Sequence, residues 1–371
     1  MLARFVWTAK MKMLRSFVVL AVVKLAVQDD SKQLNSNDIQ DETLDGIKNN
    51  EKRVYWNIPT FQCDSHKLNF TQLAEKYNII QNENDRFRGQ DIAILYDPGS
   101  FPAILKDGSK SVLRNGGVPQ EGNLTLHLEI FEALLEELIP DNEFAGIGII
   151  DFESWRPIFR QNFGTLSPYK DLSISVERKR HPLWLNTWIE KEATRRFEYY
   201  ARQFMEETLF LAKYLRPNAT WGYYAYPYCF NMSPNNMKRD CPKEVIQEND
   251  RTKWLFELSD SLYPSIYLGD LRLNANDKVE MIEGRINEAY RVAENINNCT
   301  KIIPYFWYKY HDTKQFISKD DLFNTFTALA SSVIDGVVLW GSSNDVNTKA
   351  KCLQLFQYID DVLGPLLLNN F

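Results

Sequence analysis

Seven short runs rich in β-branched and aromatic residues recur along this chain: VYWNIP (54–59), IAILYD (92–97), GIGIIDFE (146–153), WGYYAYP (221–227), YPSIYL (263–268), IIPYFWY (302–308) and GVVLWGS (336–342). Several lack polar alternation, as strands buried on both faces do. Between most of them the apolar residues keep a helical period. Val279, Ile282, Ile286, Ala289, Ala293 and Ile296 form one such stripe and Trp188, Ile189, Ala193, Phe197, Tyr200 and Phe204 another, with similar segments over 126–138 and 322–333. Strand alternating with helix leaves a parallel barrel or a doubly wound sheet. No Gly-rich dinucleotide turn comes after the first run, and acidic or aromatic residues recur at the carboxyl ends of several runs, as when a barrel builds its site from one face. The expectation is an α/β fold, a parallel barrel in a single domain over 53–371.

The rest of the chain reads differently. Arg4, Lys10, Lys12 and Arg15 precede the apolar run Phe17–Val23, so residues 1–28 read as a signal peptide. Lys24 interrupts that run and no clean small-x-small site comes after it, which leaves an anchored N-terminus as the alternative. Residues 29–52 hold few apolar side chains and no aromatics, too little burial to offset ordering entropy, and read as a flexible pro-segment or linker. Five Asn-x-Ser/Thr sequons, at Asn69, Asn123, Asn218, Asn231 and Asn298, support secretion. The first three are the expected glycosylation sites; Pro234 close behind Asn231 and Cys299 within the Asn298 sequon argue against the other two. A net charge of −6 gives no global basic field and argues against nucleic acid as a partner. No membrane partner is expected for the mature form, and a monomer is expected. Cysteines 63, 229, 241, 299 and 352 are odd in number, so an exported chain leaves one over, and spacing alone does not fix the pairing.

In IIDFESWRP, Asp151 and Glu153 stand two apart at the end of an apolar run, and a strand of period 2 sends both side chains to one face. Two carboxyls this close disfavour joint ionisation, so one keeps its proton toward neutrality and can serve as a general acid. The plain alternative is a strand end whose acids face water. Trp221, Tyr223, Tyr224, Tyr226 and Tyr228, then Tyr267, Tyr305, Trp307, Tyr308 and Trp340, gather at strand ends. Such rings suit the apolar C–H faces and hydroxyl rims of sugars, although each alone is equally a core residue. Basic residues come after the acidic pair, from Arg156 and Arg160 through Arg178, Lys179 and Arg180 to Arg202, either a polyanion-steering patch or solvated helix faces interleaved with glutamates. The four histidines show no metal-ligand spacing, so no metal and no cofactor are expected.

IPTFQC (58–63), RNGGVPQEGN (114–123), GIGIIDFESWRPIFRQN (146–162), HPLW (181–184), WGYYAYPYCFNMSPNN (221–236) and LWGSSNDVNTKAKC (339–352) resemble the hyaluronidase family, and within it the insect venom hyaluronidases, from about Arg53 to Leu368. The resemblance implies a distorted, TIM-like barrel of seven strands as the catalytic domain. It implies Glu153 as proton donor, Asp151 as its partner, and Tyr224, Tyr267 and Trp340 as substrate contacts; Arg156 and Tyr226 are added here as candidate substrate contacts. Two disulfides carry over, Cys63 with Cys352 and Cys229 with Cys241, leaving Cys299 surplus. The implied activity is secreted endo-hydrolysis of hyaluronan β-1,4 linkages, with chondroitin or chitin as rival substrates and an inactive glycosaminoglycan-binding protein as the rival function. Because Asp151 and Glu153 leave one strand on one face, they cannot flank a scissile bond as nucleophile and acid. Asp97 is the nearest candidate for an inverting base. The substrate's own N-acetyl group is the remaining nucleophile, with retention of configuration.

Overall fold

Five of the seven expected runs each contain one strand of the wall, the sixth takes in two, and the fifth begins just past its strand. The computed structural model describes residues 52–371 other than 109, 297 and 298. The expected signal peptide (1–28) and the linker (29–52), apart from Lys52, lie outside the described residues. The wall comprises β1 (Arg53–Asn57), β2 (Ile92–Tyr96), β5 (Ile147–Asp151), β6 (Thr220–Tyr223), β7 (Ser261–Leu262), β8 (Lys301–Ile302), β9 (Tyr305–Trp307) and β10 (Gly336–Trp340). All pairings among them are parallel, in the orders β1-β10-β9, β2-β5-β6 and β7-β8. Isolated bridges from Tyr224 to Tyr263 and from Ser265 to Tyr305 carry the ring on between these sheets. Seven strand positions result, because Pro304 separates β8 from β9. A proline has no N–H to give to a ladder.

Two departures from the sequence expectation stand out. The fifth run, expected as a strand over 263–268, pairs mainly just before it, at Ser261 and Leu262, and continues past Pro264 by isolated bridges. An antiparallel hairpin of β3 (Ala103–Asp107) and β4 (Lys110–Arg114) was not anticipated. Most of its side chains are exposed on both faces, so no hydrophobic alternation announces it. Its turn is signalled by Asp107–Gly108, with Gly108 at φ 59°.

Between β1 and β2 the ring has a seam. Ile80 fills it, its N–H donating to Val54 O and its carbonyl accepting from Trp56 N–H, both at 2.8 Å. Inside, Tyr55, Ile94, Ile149, Tyr263, Tyr305 and Val338 form one apolar core. The expected helices run over Leu124–Leu138, Asn186–Leu215, Ala275–Glu294 and Lys319–Ser331. Asn123, Asn274 and Ser318 cap three of them, each side chain accepting a backbone N–H from the first turn. Cys63 is bonded to Cys352 and Cys229 to Cys241, while Cys299 stands outside both bonds at the surface. Among the described residues no helix is long and apolar enough to cross a membrane.

Candidate active site

Parallel register sets the strand ends side by side. Tyr96 lies beside Asp151 at the ends of β2 and β5, and Asn57, Trp340 and Trp307 end β1, β10 and β9 at one level. Asp151 is the last residue of β5, so Glu153 does not ride on the strand as period 2 had suggested. It reaches the cleft through a turn fixed on both sides by rings. Phe152 stacks on Phe101 with centroids 4.0 Å apart. Trp155 is fully buried and donates its indole N–H to Pro102 O at 2.8 Å. Two buried anchors flanking Glu153 leave only its side chain to face the opening, where it lines a cleft with Arg156, Tyr224, Tyr228, Ser265 and Arg285.

The electrostatics of the pair are unequal. Burial, then Glu153 and Asp97, push the Asp151 carboxyl up to about 8. Glu153 is solvent-exposed within the cleft, yet enough protein surrounds its carboxyl to raise its pKa by desolvation, with the Arg156 guanidinium pulling the other way. Burial thus raises both carboxyls, Asp151 the more strongly. Asp97, the alternative base, accepts from both terminal guanidinium nitrogens of Arg114 at 2.6 and 2.8 Å, so both of its oxygens are already engaged.

Aromatic rings build the facing wall. Tyr267 stacks on Trp340 with centroids 5.6 Å apart, and Trp307 meets Trp340 edge-on at 5.3 Å. Trp340 donates its indole N–H to Tyr96 Oη at 2.8 Å. Tyr224 lies 6.2 Å from the Tyr267 ring and its hydroxyl donates to Ser265 Oγ at 3.3 Å. Tyr224, Tyr267 and Trp340 are thus brought together, but Tyr226 is not. It is only 4% exposed and packs on Tyr223 and Tyr228.

The basic run divides as well. Arg156 stays at the cleft, its guanidinium 4.7 Å above the Tyr228 ring and close to Phe163 and Phe230. Its neighbours are engaged by carboxylates: Arg160 with Glu248, Arg180 with Glu121, Arg195 with Glu192, Arg196 with Glu177 and Arg202 with Glu206. A continuous steering patch is replaced by paired helix faces. The second cationic group of the cleft is Arg285, which the sequence pattern had not singled out. It donates to Ser265 O at 2.6 Å and to Asn231 Oδ1 at 3.1 Å, and burial lowers it to about 10. Its signal was present: Arg285 falls three residues after Ile282 and four before Ala289, on an apolar helical stripe where a charge needs a reason.

Among the sequons, Asn69, Asn123 and Asn218 are exposed, although Asn218 Nδ2 donates to Glu143 at 2.9 Å. Asn231 is fully buried with its Nδ2 given to Arg239 O and Met281 O. Asn298 lies outside the described residues.

Comparison with known proteins agrees with this arrangement. The hyaluronidase of Apis mellifera is 52% identical over 327 residues, covering 86% of this chain and 85% of the relative. Hyaluronidase B of Vespa velutina is 48% identical over 319 residues, covering 85% of this chain and 96% of the relative. The crystal structure of bee venom hyaluronidase in complex with a hyaluronic acid tetramer superposes with a TM-score of 0.85 at 51% identity, covering 86% of this chain and 99% of that one. The fold is the distorted TIM-like barrel of those enzymes. The family model described as hyaluronidase, glycoside hydrolase family 56, matches residues 43–370, and the chain belongs to that family of glycoside hydrolases.

Proposed function

We propose that this chain is a secreted endo-β-N-acetylhexosaminidase that hydrolyses the β-1,4 linkages of hyaluronan, with Glu153 as the general acid. The reading is supported by Asp151 at the carboxyl end of β5, by Glu153 two residues on in a cleft shared with Tyr224, and by the Tyr267–Trp340 stack whose Tyr267 ring lies 6.2 Å from Tyr224. A sugar lying on that platform presents a glycosidic oxygen to Glu153 and an acetamide to Asp151. The free pair holds a proton mainly on Asp151. An acetamide N–H offered to Asp151 stabilises its anion, and the proton is then best held by Glu153, beside the leaving oxygen. The acetamide oxygen attacks the anomeric carbon as the C–O bond breaks, so the nucleophile is already tethered to the reacting centre. Asp151 balances the positive charge of the resulting oxazolinium ring. Glu153, now ionised, removes a proton from the water that opens that ring, giving net retention.

With Asp97 clamped by Arg114, this route needs no second protein nucleophile. Tyr224, Tyr267, Trp340 and Arg156 are the proposed substrate contacts; Tyr226 supports them from the core. Secretion, a monomeric state and glycans on Asn69, Asn123 and Asn218 complete the reading. Glu153→Gln should lower turnover of purified hyaluronan by at least about 10²-fold with the fold intact, since it removes the transferable proton. NMR of the first-formed product should show the β anomer. Retention of a tenth of parental turnover by the variant would remove Glu153 from the role. An α anomer would remove the mechanism. Faster cleavage of chondroitin or chitin would change the substrate.

A further inference from the structure

The HPLW segment plays no part in the cleft, yet it presents the most exposed large apolar side chain among the described residues, with three more beside it. Leu183 is 95% exposed, Leu185 63%, Trp188 58% and Trp184 41%, all within the turn between the helices Ser167–Arg180 and Asn186–Leu215 or on the first turn of the second helix. This turn is built rather than loose. Trp184 stacks flat on His181, centroids 3.8 Å apart, and Trp188 meets Trp184 edge-on at 6.4 Å. Those contacts hold the rings in place while Leu183 projects into solvent.

The position of the tip comes from helix length. The Asn186–Leu215 helix feeds β6, so its start lies on the side of the strand ends that carry the acids. Phe197 packs on Trp155 and Phe159, at the level of the catalytic turn. The helix begins at Asn186, so about eleven residues, or roughly 16 Å at 1.5 Å per residue, project beyond that level. The tip therefore stands out from the same face as the cleft.

Its surroundings are basic in an otherwise acidic chain. Between 177 and 196, Arg180, Arg195 and Arg196 are paired with Glu121, Glu192 and Glu177, which leaves Arg178, Lys179 and Lys191 exposed around the tip against the exposed Glu190. Exposed tryptophan and leucine above a basic collar is the combination that partitions into the headgroup region of an anionic bilayer. Sugar platforms use ring faces, but neither leucine has one, and two leucines at such exposure gain little from a polyol. We propose that the Leu183–Trp188 tip docks the catalytic face onto an anionic lipid surface, turning the cleft toward polysaccharide held there.

The test uses the full chain and sedimentation with vesicles of phosphatidylcholine mixed with phosphatidylserine, against phosphatidylcholine alone. The mixed vesicles should bind more protein, added salt should reduce that binding, and tryptophan emission should shift to the blue. Leu183→Asp, at a side chain that touches almost nothing, should weaken binding by roughly tenfold or more while hydrolysis of dissolved hyaluronan stays unchanged. Leu185→Ser with Trp188→Ser should do the same. Equal sedimentation of parent and variants, or none of the parent, would overturn the proposal. So would a tip-dependent dimer in sedimentation velocity, which would make a second copy the occupant. Loss of affinity for hyaluronan oligosaccharides in Leu183→Asp would make it a sugar site instead.

Discussion

Asp151→Asn should stabilise the fold while removing activity, and the gain should grow with pH. In the unfolded chain Asp151 titrates near 3.8, whereas burial and its acidic neighbours push it to about 8 in the folded one. Between those values the unfolded chain has released the proton and the folded chain still holds it. Stability therefore falls as pH rises through this window, by about 1.36 kcal/mol for each pH unit. The loss has barely begun near the lower value and is complete once pH passes the upper one. At pH 7 the ideal cost is about 4 kcal/mol; because the cleft admits water, about half of that is the expected figure. Asparagine cannot ionise, so the variant escapes the cost. Urea unfolding of parent and variant across this pH range measures the difference directly. It should start small in mild acid, widen toward neutrality and level off in mild alkali. A difference that is flat with pH, or that narrows as pH rises, would refute the account of Asp151 as the carboxyl that burial keeps protonated.

Arg156→Gln removes the cation that holds Glu153 down, so the alkaline limb of the kcat profile should move to higher pH; a shift to lower pH would contradict the pairing. The Michaelis constant for hyaluronan should change by less than about threefold between low and moderate salt, because Arg160, Arg180 and Arg202 are engaged by glutamates, and a steep salt dependence would revive the steering patch. Removing the Cys63–Cys352 bond by a double change to alanine should cost more than removing Cys229–Cys241. The two bonds close segments of 289 and 12 residues, about 5.7 against about 3 kcal/mol by loop entropy, and equal shifts in the urea midpoint would argue against that ordering.

The barrel was legible because several buried runs lack polar alternation and acidic or aromatic residues recur at their carboxyl ends. The hairpin β3–β4 was hidden because its strands face water on both sides, so no period marks them. Short pairing at the fifth and sixth positions comes from Pro264 and Pro304, which were visible but whose effect on the ladders depends on where the neighbouring strands end. In the site, Asp151 was placed by strand period alone. Glu153 reaches the same cleft by a different cause, the burial of Phe152 and Trp155, and only three-dimensional packing reveals it. Tyr226 and Tyr224 are two apart in sequence yet differ in placement, Tyr224 lining the cleft and Tyr226 packed behind it, because strand β6 ends at Tyr223 and alternation no longer governs the residues beyond it. The basic run stayed open between a steering patch and solvated helix faces because partners such as Glu248 for Arg160 and Glu121 for Arg180 are distant in sequence.

The seam between β1 and β2 divides the cleft between two frames. Asp151 ends a strand of one three-stranded sheet, and Trp340 and Trp307 end strands of the other. No shared ladder sets the spacing from acid to platform on that side. It is set at the rim by the Trp340–Tyr96 hydrogen bond and behind it by Ile80, and on the far side by single bridges at Tyr263 and Ser265. Side-chain contacts yield more readily than continuous ladders do. The width of this jaw is thus fixed by a few side-chain contacts and single bridges rather than by a ladder, so changes at Tyr96, Ile80 or Ser265 bear on the spacing from acid to platform without touching either.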